Sequence, residues 1–305
     1  MISGAQRCFS TVPNLLYVGL GEMGYRIAGT LSKTYPMTVW NRTNEKAVSH
    51  ASEYGTTALA GPNPFAHDIS HIDVILSCLP TSNEVKIFAD HLIASQSQLK
   101  QGLLWLDNTS GVPHQSRQIA ELLQQRSVQF LDVPISGGRK GATNATLTIM
   151  VGGPKPDYER ILPILQKMGK NIAHIGDVGS AHAVKGLNNL LYGCNILLAM
   201  KVAQTLEKEG IDPDVALKAM MTSSGGSNSM LRVHEYVTHN RTIDYSFKAN
   251  ALVKDMDIGL SMVTPRSEDD PAIKMFTNIR DIYFKMATEK GWSTAEVFDT
   301  FPYIE

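Results

Sequence analysis

A short apolar run, Asn14-Leu15-Leu16-Tyr17-Val18, passes directly into the glycine-patterned stretch GLGEMGYRIAGTLSK. Gly19, Gly21 and Gly24 fit G-x-G-x-x-G between a predicted strand and a predicted helix. That context makes a common spacing specific. The first glycine permits the tight turn, the second lets a pyrophosphate reach the backbone, and the third allows the helix to pack close to the strand. Leu20, Glu22 and Met23 complete the loop, and the helix behind it presents unpaired N–H groups to a phosphate. A second strand, Met37 to Trp40, ends on Asn41-Arg42-Thr43, twenty residues after Gly21. A dinucleotide site for NAD usually places a carboxylate there, to accept hydrogen bonds from the ribose hydroxyl. An amide, a guanidinium and a hydroxyl can all donate instead, so this cluster predicts NADP(H) in preference to NAD(H).

The alternation of apolar runs and amphipathic stretches continues. Asp73–Leu79, Leu103–Leu106, Val128–Val133, Thr146–Val151 and Ile172–Ile175 read as strands, and Pro156–Met168 as a helix. The pattern predicts a doubly wound α/β domain of Rossmann type over residues 14–178. Loops after the C-terminal ends of such strands face the ligand crevice. That makes Leu79-Pro80-Thr81-Ser82 and Asn108-Thr109-Ser110 candidate walls of the cofactor site.

From Gly179 to Gly210 the chain reads as one long helix. Ser180 is the expected N-cap, Gly210 the expected stop, and Lys208 lies in the last turn. Such a helix spans about 45 Å. Its middle is apolar almost all round, so it is expected to be buried. Asn188, Asn189, Gly193, Asn195 and Lys201 interrupt the apolar run, which argues against a membrane span. Near its head Lys185 and Asn189 are four residues apart and share a face, with Asn188 beside them. Asp212 and Pro213 restart a helix as N-cap and first residue. Helical segments follow at about 213–222, 228–238, 247–263 and 271–291, so 179–305 reads as an all-α C-terminal domain.

Composition narrows the partners. Twenty-eight basic and 29 acidic side chains leave a net charge of −1 on 305 residues. There is no electrostatic case for nucleic acid or an anionic membrane. Cys8, Cys78 and Cys194 are too few and too scattered for a disulfide framework or a zinc site, so a reducing, cytoplasmic setting is expected. The opening MISGAQRCFSTV, with Arg7, Ser10, Thr11 and no acid, faintly suggests a mitochondrial transit segment. It is read instead as a flexible tail, residues 1–13.

Four motifs fall in order: GLGEMG, the stretch Asp132-Val133-Pro134-Ile135-Ser136-Gly137-Gly138 followed by Gly141-Ala142, GSAHAVKGLNN, and Phe247 through Lys254-Asp255. Together they resemble the β-hydroxyacid dehydrogenase family from Asn14 to about Leu260. The resemblance implies a Rossmann domain, a long connecting helix, a helical domain of 6-phosphogluconate dehydrogenase type, and a homodimer. It implies NADPH-dependent interconversion of a small aldehyde or keto acid and its hydroxy acid, of 3-hydroxyisobutyrate, succinic semialdehyde or glyoxylate type. Ser136, Gly137 and Gly138 would hold the substrate carboxylate, and Lys185 would be the general acid/base. Asn189 would orient substrate or ammonium, and Lys254 would lie near nicotinamide and substrate. Ala145 stands where glycine is usual, Thr109-Ser110 reverses the common order, and the segment after Thr264 matches poorly. Two alternatives stay open. One is an imine reductase of the same architecture, whose sequences usually lack the lysine. The other is a non-catalytic dimerisation module, although Lys185, Ser136 and Asn189 are all retained.

Overall fold

In the computed structural model, which describes residues 9, 11–95, 98–242, 247–267 and 269–304, the chain divides into two compact units, 1–185 and 186–305. The first opens with β1 (Leu15–Val18), α1 (Gly24–Ser32), β2 (Met37–Trp40), α2 (Asn44–Tyr54) and β3 (Thr57–Ala58). There follow β4 (Val74–Ser77), α3 (Ser82–Ala94), β5 (Leu104–Asp107), α4 (Pro113–Gln124) and β6 (Gln129–Asp132). These strands lie in the order β3-β2-β1-β4-β5-β6, every neighbour parallel. Their near-continuous apolar runs have a direct cause: helices cover both faces of a parallel sheet, so alternate residues of each strand enter opposite cores. Leu15, Tyr17, Val74, Leu76, Leu104 and Leu106 belong to one core. Leu16, Val18, Ile75 and Trp105, which alternate with them, belong to the other.

After β6 the sheet changes direction. The short β7 (Ile135–Ser136) and α5 (Gly138–Thr143), neither expected from periodicity, lead into β8 (Leu147–Gly152), α6 (Lys155–Leu165) and β9 (Gly169–Gly176). Asp132 pairs antiparallel with Gly152, and Ile135 and Ser136 pair antiparallel with Ile149 and Thr148. β9 runs parallel to β8 along its other edge. Two-residue strands are too short to show a period, which is why β3 and β7 were not legible. Ala145, where glycine is usual, has φ 52°, a left-handed conformation. It ends α5, with Thr146 N–H closing onto Gly141 O at 2.9 Å. Glycine adopts this geometry without a β-carbon penalty, which accounts for the preference.

At the chain start, Arg7, Cys8 and Ser10, which entered the transit-segment and cysteine arguments, lie outside the described residues. Phe9 sits beneath the Arg160 guanidinium, 4.6 Å from its ring centre, and Pro13 is buried. That end of the presumed tail is therefore packed against the first unit.

The long helix α7 runs over 29 residues, Ser180–Lys208. Its C-terminal stop is as expected: Gly210 has φ 72°, and Ile211 N–H returns to Leu206 O at 2.9 Å. Two expectations about it need correction. Ser180 is not its cap, because Ser180 already lies within the helix and its buried Oγ has no hydrogen-bond partner. Nor is the helix covered all round. Val184, Leu187, Leu191 and Leu198 are 38–57% exposed, and their spacing of three, four and seven puts them on one stripe. The opposite side of the helix is the buried one.

The second unit adds α8 (Pro213–Met221), α9 (Asn228–Thr238), α10 (Ala249–Leu260) and α11 (Pro271–Lys290), then a 3₁₀ segment, Val297–Ile304. Asp212 caps α8 through Asp214 N–H, with Pro213 in its first turn, as expected. Leu190, Cys194 and Leu197 share a core with Leu252, Val253, Met256, Tyr283 and Phe301. Among the described residues, no helix is long and apolar enough to cross a membrane.

Candidate active site

The glycine loop after β1 is built by close approach. A β-carbon on Gly24 would land on the Gly19 carbonyl oxygen, and one on Gly19 on the Cys78 carbonyl oxygen. At Gly21 a β-carbon would meet nothing within 4 Å. Two glycines are thus spent on packing, and the third leaves its backbone open at the N-terminus of α1. That division suits a pyrophosphate. Leu20 N–H donates to Asn41 Oδ1 at 2.9 Å, and Asn41 Nδ2 donates to Thr43 O at 2.9 Å. Asn41 therefore ties the glycine loop to the end of β2. Arg42 and Thr43 are exposed ahead of α2, and Thr43 caps that helix with its backbone alone.

The other predicted walls are partly structural. Thr109 Oγ1 accepts from Leu79 N–H at 3.0 Å, and Thr109 N–H donates to Asp107 Oδ1 at 3.1 Å. Asn108 accepts from the Tyr17 hydroxyl at 3.1 Å and donates to Val133 O at 2.8 Å. Thr81 closes a capping box with Glu84, and Ser82 Oγ accepts from Val112 N–H at 2.8 Å. These side chains hold the strand ends in register. Burial pushes the Asp107 carboxyl above its ordinary range, against the opposing pull of His182 and of hydrogen bonds from Thr109 and Ser77.

Ser136 ends β7, and Gly137 and Gly138 follow with φ 131° and 61°. This loop rides on α1: Thr30 Oγ1 donates to Ala142 O at 3.2 Å. Arg139 Nε meets Glu22 Oε2 at 2.7 Å, and Arg26 Nη1 meets the same oxygen at 3.3 Å. Glu22, named above as a loop residue, thus has its carboxylate turned toward two guanidinium groups.

Lys185 is 8% exposed, one turn into α7. Asp132, at the end of β6, holds the start of that helix. Its Oδ1 accepts from Gly179 N–H at 2.7 Å and its Oδ2 from His182 N–H at 2.8 Å. His182 is fully buried, with Nδ1 2.7 Å from Ser116 Oγ.

In the second unit Asn189 is buried. Its Nδ2 donates to Asp255 Oδ2 at 2.5 Å, and its Oδ1 accepts from Asn188 Nδ2 at 3.0 Å. Lys254 Nζ lies 3.1 Å from Asp255 Oδ1. Asp255 orients Asn189 and forms an ion pair with Lys254 at once. Residue-type reasoning missed Asp132, Ser116, His182 and Asp255 as partners. A lone acid in the apolar run FLDV was the available signal for the first.

Comparison with known proteins places the chain in a family. Residues 14–176 match the family model of the NAD binding domain of 6-phosphogluconate dehydrogenase. Residues 179–276 match that of the NAD-binding domain of NADP-dependent 3-hydroxyisobutyrate dehydrogenase. The second match runs past Thr264. The chain is 30% identical over 263 residues to 2-(hydroxymethyl)glutarate dehydrogenase of Eubacterium barkeri, covering 86% of each chain. It is 33% identical over 221 residues to 3-hydroxyisobutyrate dehydrogenase of Pseudomonas aeruginosa, covering 70% of this chain and 71% of that one. The structure of Mycobacterium tuberculosis 3-hydroxyisobutyrate dehydrogenase with L-serine superposes with TM-score 0.82 at 20% identity, covering 97% of this chain and all of that one.

Proposed function

We propose that this chain, which belongs to the β-hydroxyacid dehydrogenase family of NAD(P)-dependent oxidoreductases, uses NADPH to interconvert a small aldehyde or keto acid and its hydroxy acid. Residues 14–178 are taken as the dinucleotide domain and 179–305 as the helical domain. The observation that carries the reading is Lys185. It is a lysine buried at the head of α7, in the same unit as the dinucleotide loop and the Ser136–Gly138 loop, and a buried ammonium shifts its proton affinity readily, as a general acid/base must.

The reduced nicotinamide supplies a hydride when bound. In that direction Lys185 donates a proton to the carbonyl oxygen, and in the reverse direction it accepts one from the hydroxyl. Ser136 and the backbone N–H groups of Gly137 and Gly138 hold the substrate carboxylate. Asn189, oriented by Asp255, donates its remaining Nδ2 hydrogen to substrate, and Lys254 adds positive charge for substrate and cofactor. Gly19 to Gly24, Arg42, Thr43, Leu79, Pro80 and Thr109 form the cofactor site, with Asn41 as its tie.

A panel of glyoxylate, succinic semialdehyde, methylmalonate semialdehyde and a cyclic imine, each with NADPH and NADH, tests the reading. Acids should turn over far better than matching neutral aldehydes. Ser136→Ala should weaken apparent acid binding by about 0.5–1.5 kcal/mol, or up to about 3 for a charge-assisted bond. Equal turnover of succinic semialdehyde and butyraldehyde would assign the loop another task, and a preference for the imine would move the enzyme to a different reaction class.

The partner we propose is a second copy of this chain, seated on the stripe of Val184, Leu187, Leu191 and Leu198. Exposed apolar stripes of this kind mark association sites. Sedimentation should give twice the chain mass, and Leu191→Glu should lower it. A monomer at micromolar concentration would remove this partner. We place the enzyme in the cytoplasm, where Cys78 and Cys194 remain thiols.

A further inference from the structure

The carboxylate of Asp132 is fully buried and accepts with one oxygen from the N–H of Gly179, just before α7, and with the other from the N–H of His182 in its first turn. Lys185 follows His182 by three residues and so stands one turn above that anchor. In the other direction the chain from Asp132 to Ser136 is pinned at every step. Val133 N–H donates to Asp107 O at 2.7 Å, and Asn108 Nδ2 donates to Val133 O at 2.8 Å. Met150 N–H donates to Pro134 O at 3.1 Å, and Ile135 and Ser136 pair with β8. Gly152 lies directly under the carboxylate, since a β-carbon there would land on Asp132 Oδ1. One rigid rung of backbone therefore leads from the carboxylate that grips α7 to Ser136.

We propose that Asp132 is a positioning residue, which fixes the distance between Lys185 and the Ser136–Gly138 loop by clamping the start of α7 to the strand that carries the loop. It touches neither substrate nor cofactor. Its two acceptors replace the side-chain cap that Ser180 fails to provide, and they do so from the sheet. A local side-chain cap could satisfy the His182 N–H but not that of Gly179, and it would tie the helix to nothing outside itself. A carboxylate also suits the positive end of the helix. The second tie, His182 to Ser116 on α4, restrains the same turn from the side. Proton transfer demands donor and acceptor within about 2.6–3.2 Å. A shift of the helix start by a fraction of that distance would thus spare binding and slow the chemistry.

The inference rests on the roles given above to Lys185 and Ser136, and the experiment separates the two. Asp132→Asn keeps the shape but turns one acceptor into a donor facing an N–H group. It should lower kcat by about 10- to 100-fold, the scale of a misplacement near 1 Å. NADPH affinity and the thermal transition should stay within a few-fold and a few degrees of wild type. The solvent deuterium isotope effect on kcat should rise, because transfer from a displaced Lys185 becomes rate-limiting; a loss of stability alone would leave it unchanged. Gly179→Ala moves the same joint without touching the carboxylate. Gly179 has φ 90°, and a β-carbon there would sit 2.7 Å from Pro113 O. It should show the same fall in kcat and the same rise in isotope effect, and it decides the matter if Asp132→Asn does not fold. A wild-type kcat in Gly179→Ala, or in a folded Asp132→Asn, overturns the proposal, as does an unchanged isotope effect in either. Lys185→Ala is the control. If it is inactive while Asp132→Asn works normally, only this inference falls; if it is active, the assignment of Lys185 falls first.

Discussion

Lys185→Ala should lower kcat by about 10²–10⁴-fold, the usual contribution of a positioned acid or base. NADPH affinity should hardly change, because the dinucleotide loop is closed by the backbone approaches of Gly24 to Gly19 and of Gly19 to Cys78. Since kcat and kcat/KM should fall together, the lost interaction is one made in the transition state. Small primary amines added to the variant should restore part of the rate, by supplying the missing proton donor in the space left by the side chain. A variant within a few-fold of wild type would remove Lys185 from the mechanism and revive the non-catalytic dimerisation module.

Arg42→Ala should abolish most of a preference for NADPH over NADH that amounts to about tenfold, within a range reaching about 150-fold for a charge-assisted contact. Exposure of Arg42 sets the lower end, because solvent and salt screen such a contact. Glu45 in the first turn of α2 opposes the phosphate, whereas the N–H groups of that turn favour it. The loss should come from weaker NADPH binding, with NADH nearly unaffected, and the wild-type preference should shrink as salt is added. The measurement is kcat/KM for both cofactors in wild type and variant at two ionic strengths. An NADH preference in the wild type would leave Arg42 an ordinary solvated arginine.

The strands of the first unit were legible because helices on both faces turn each one into an unbroken apolar run. Leu15 to Val18 and Leu104 to Leu106 need no knowledge of their neighbours to be read. The glycine loop was legible because its spacing and the Gly24–Gly19 approach are local, although Gly19 is also held against the Cys78 carbonyl at the end of β4. Asn41 shows the limit. Its position at the strand end was evident, but its amide holds Leu20 and Thr43, a use that no residue type discloses.

What the amino-acid order determined by itself is the set of local devices: the strand–glycine–helix turn, the donor cluster after β2, the Gly210 stop, the Asp212-Pro213 start, and Lys185 and Asn189 one turn apart. Each is recognised from residues within about one turn or one strand of each other, where backbone sterics and side-chain spacing act directly. Only the tertiary structure decided who restrains them. Asp132 reaches α7 from 47 residues away, Asp255 reaches Asn189 from 66, and Ser180, the local candidate, caps nothing. The exposed side of α7 was decided in the same way, by which neighbours pack against it. Partners so distant along the chain are chosen by how strands and helices stack, and an N–H group at a helix end accepts any well-placed oxygen. The need for a cap can therefore be read from sequence, while its source depends on the packed fold.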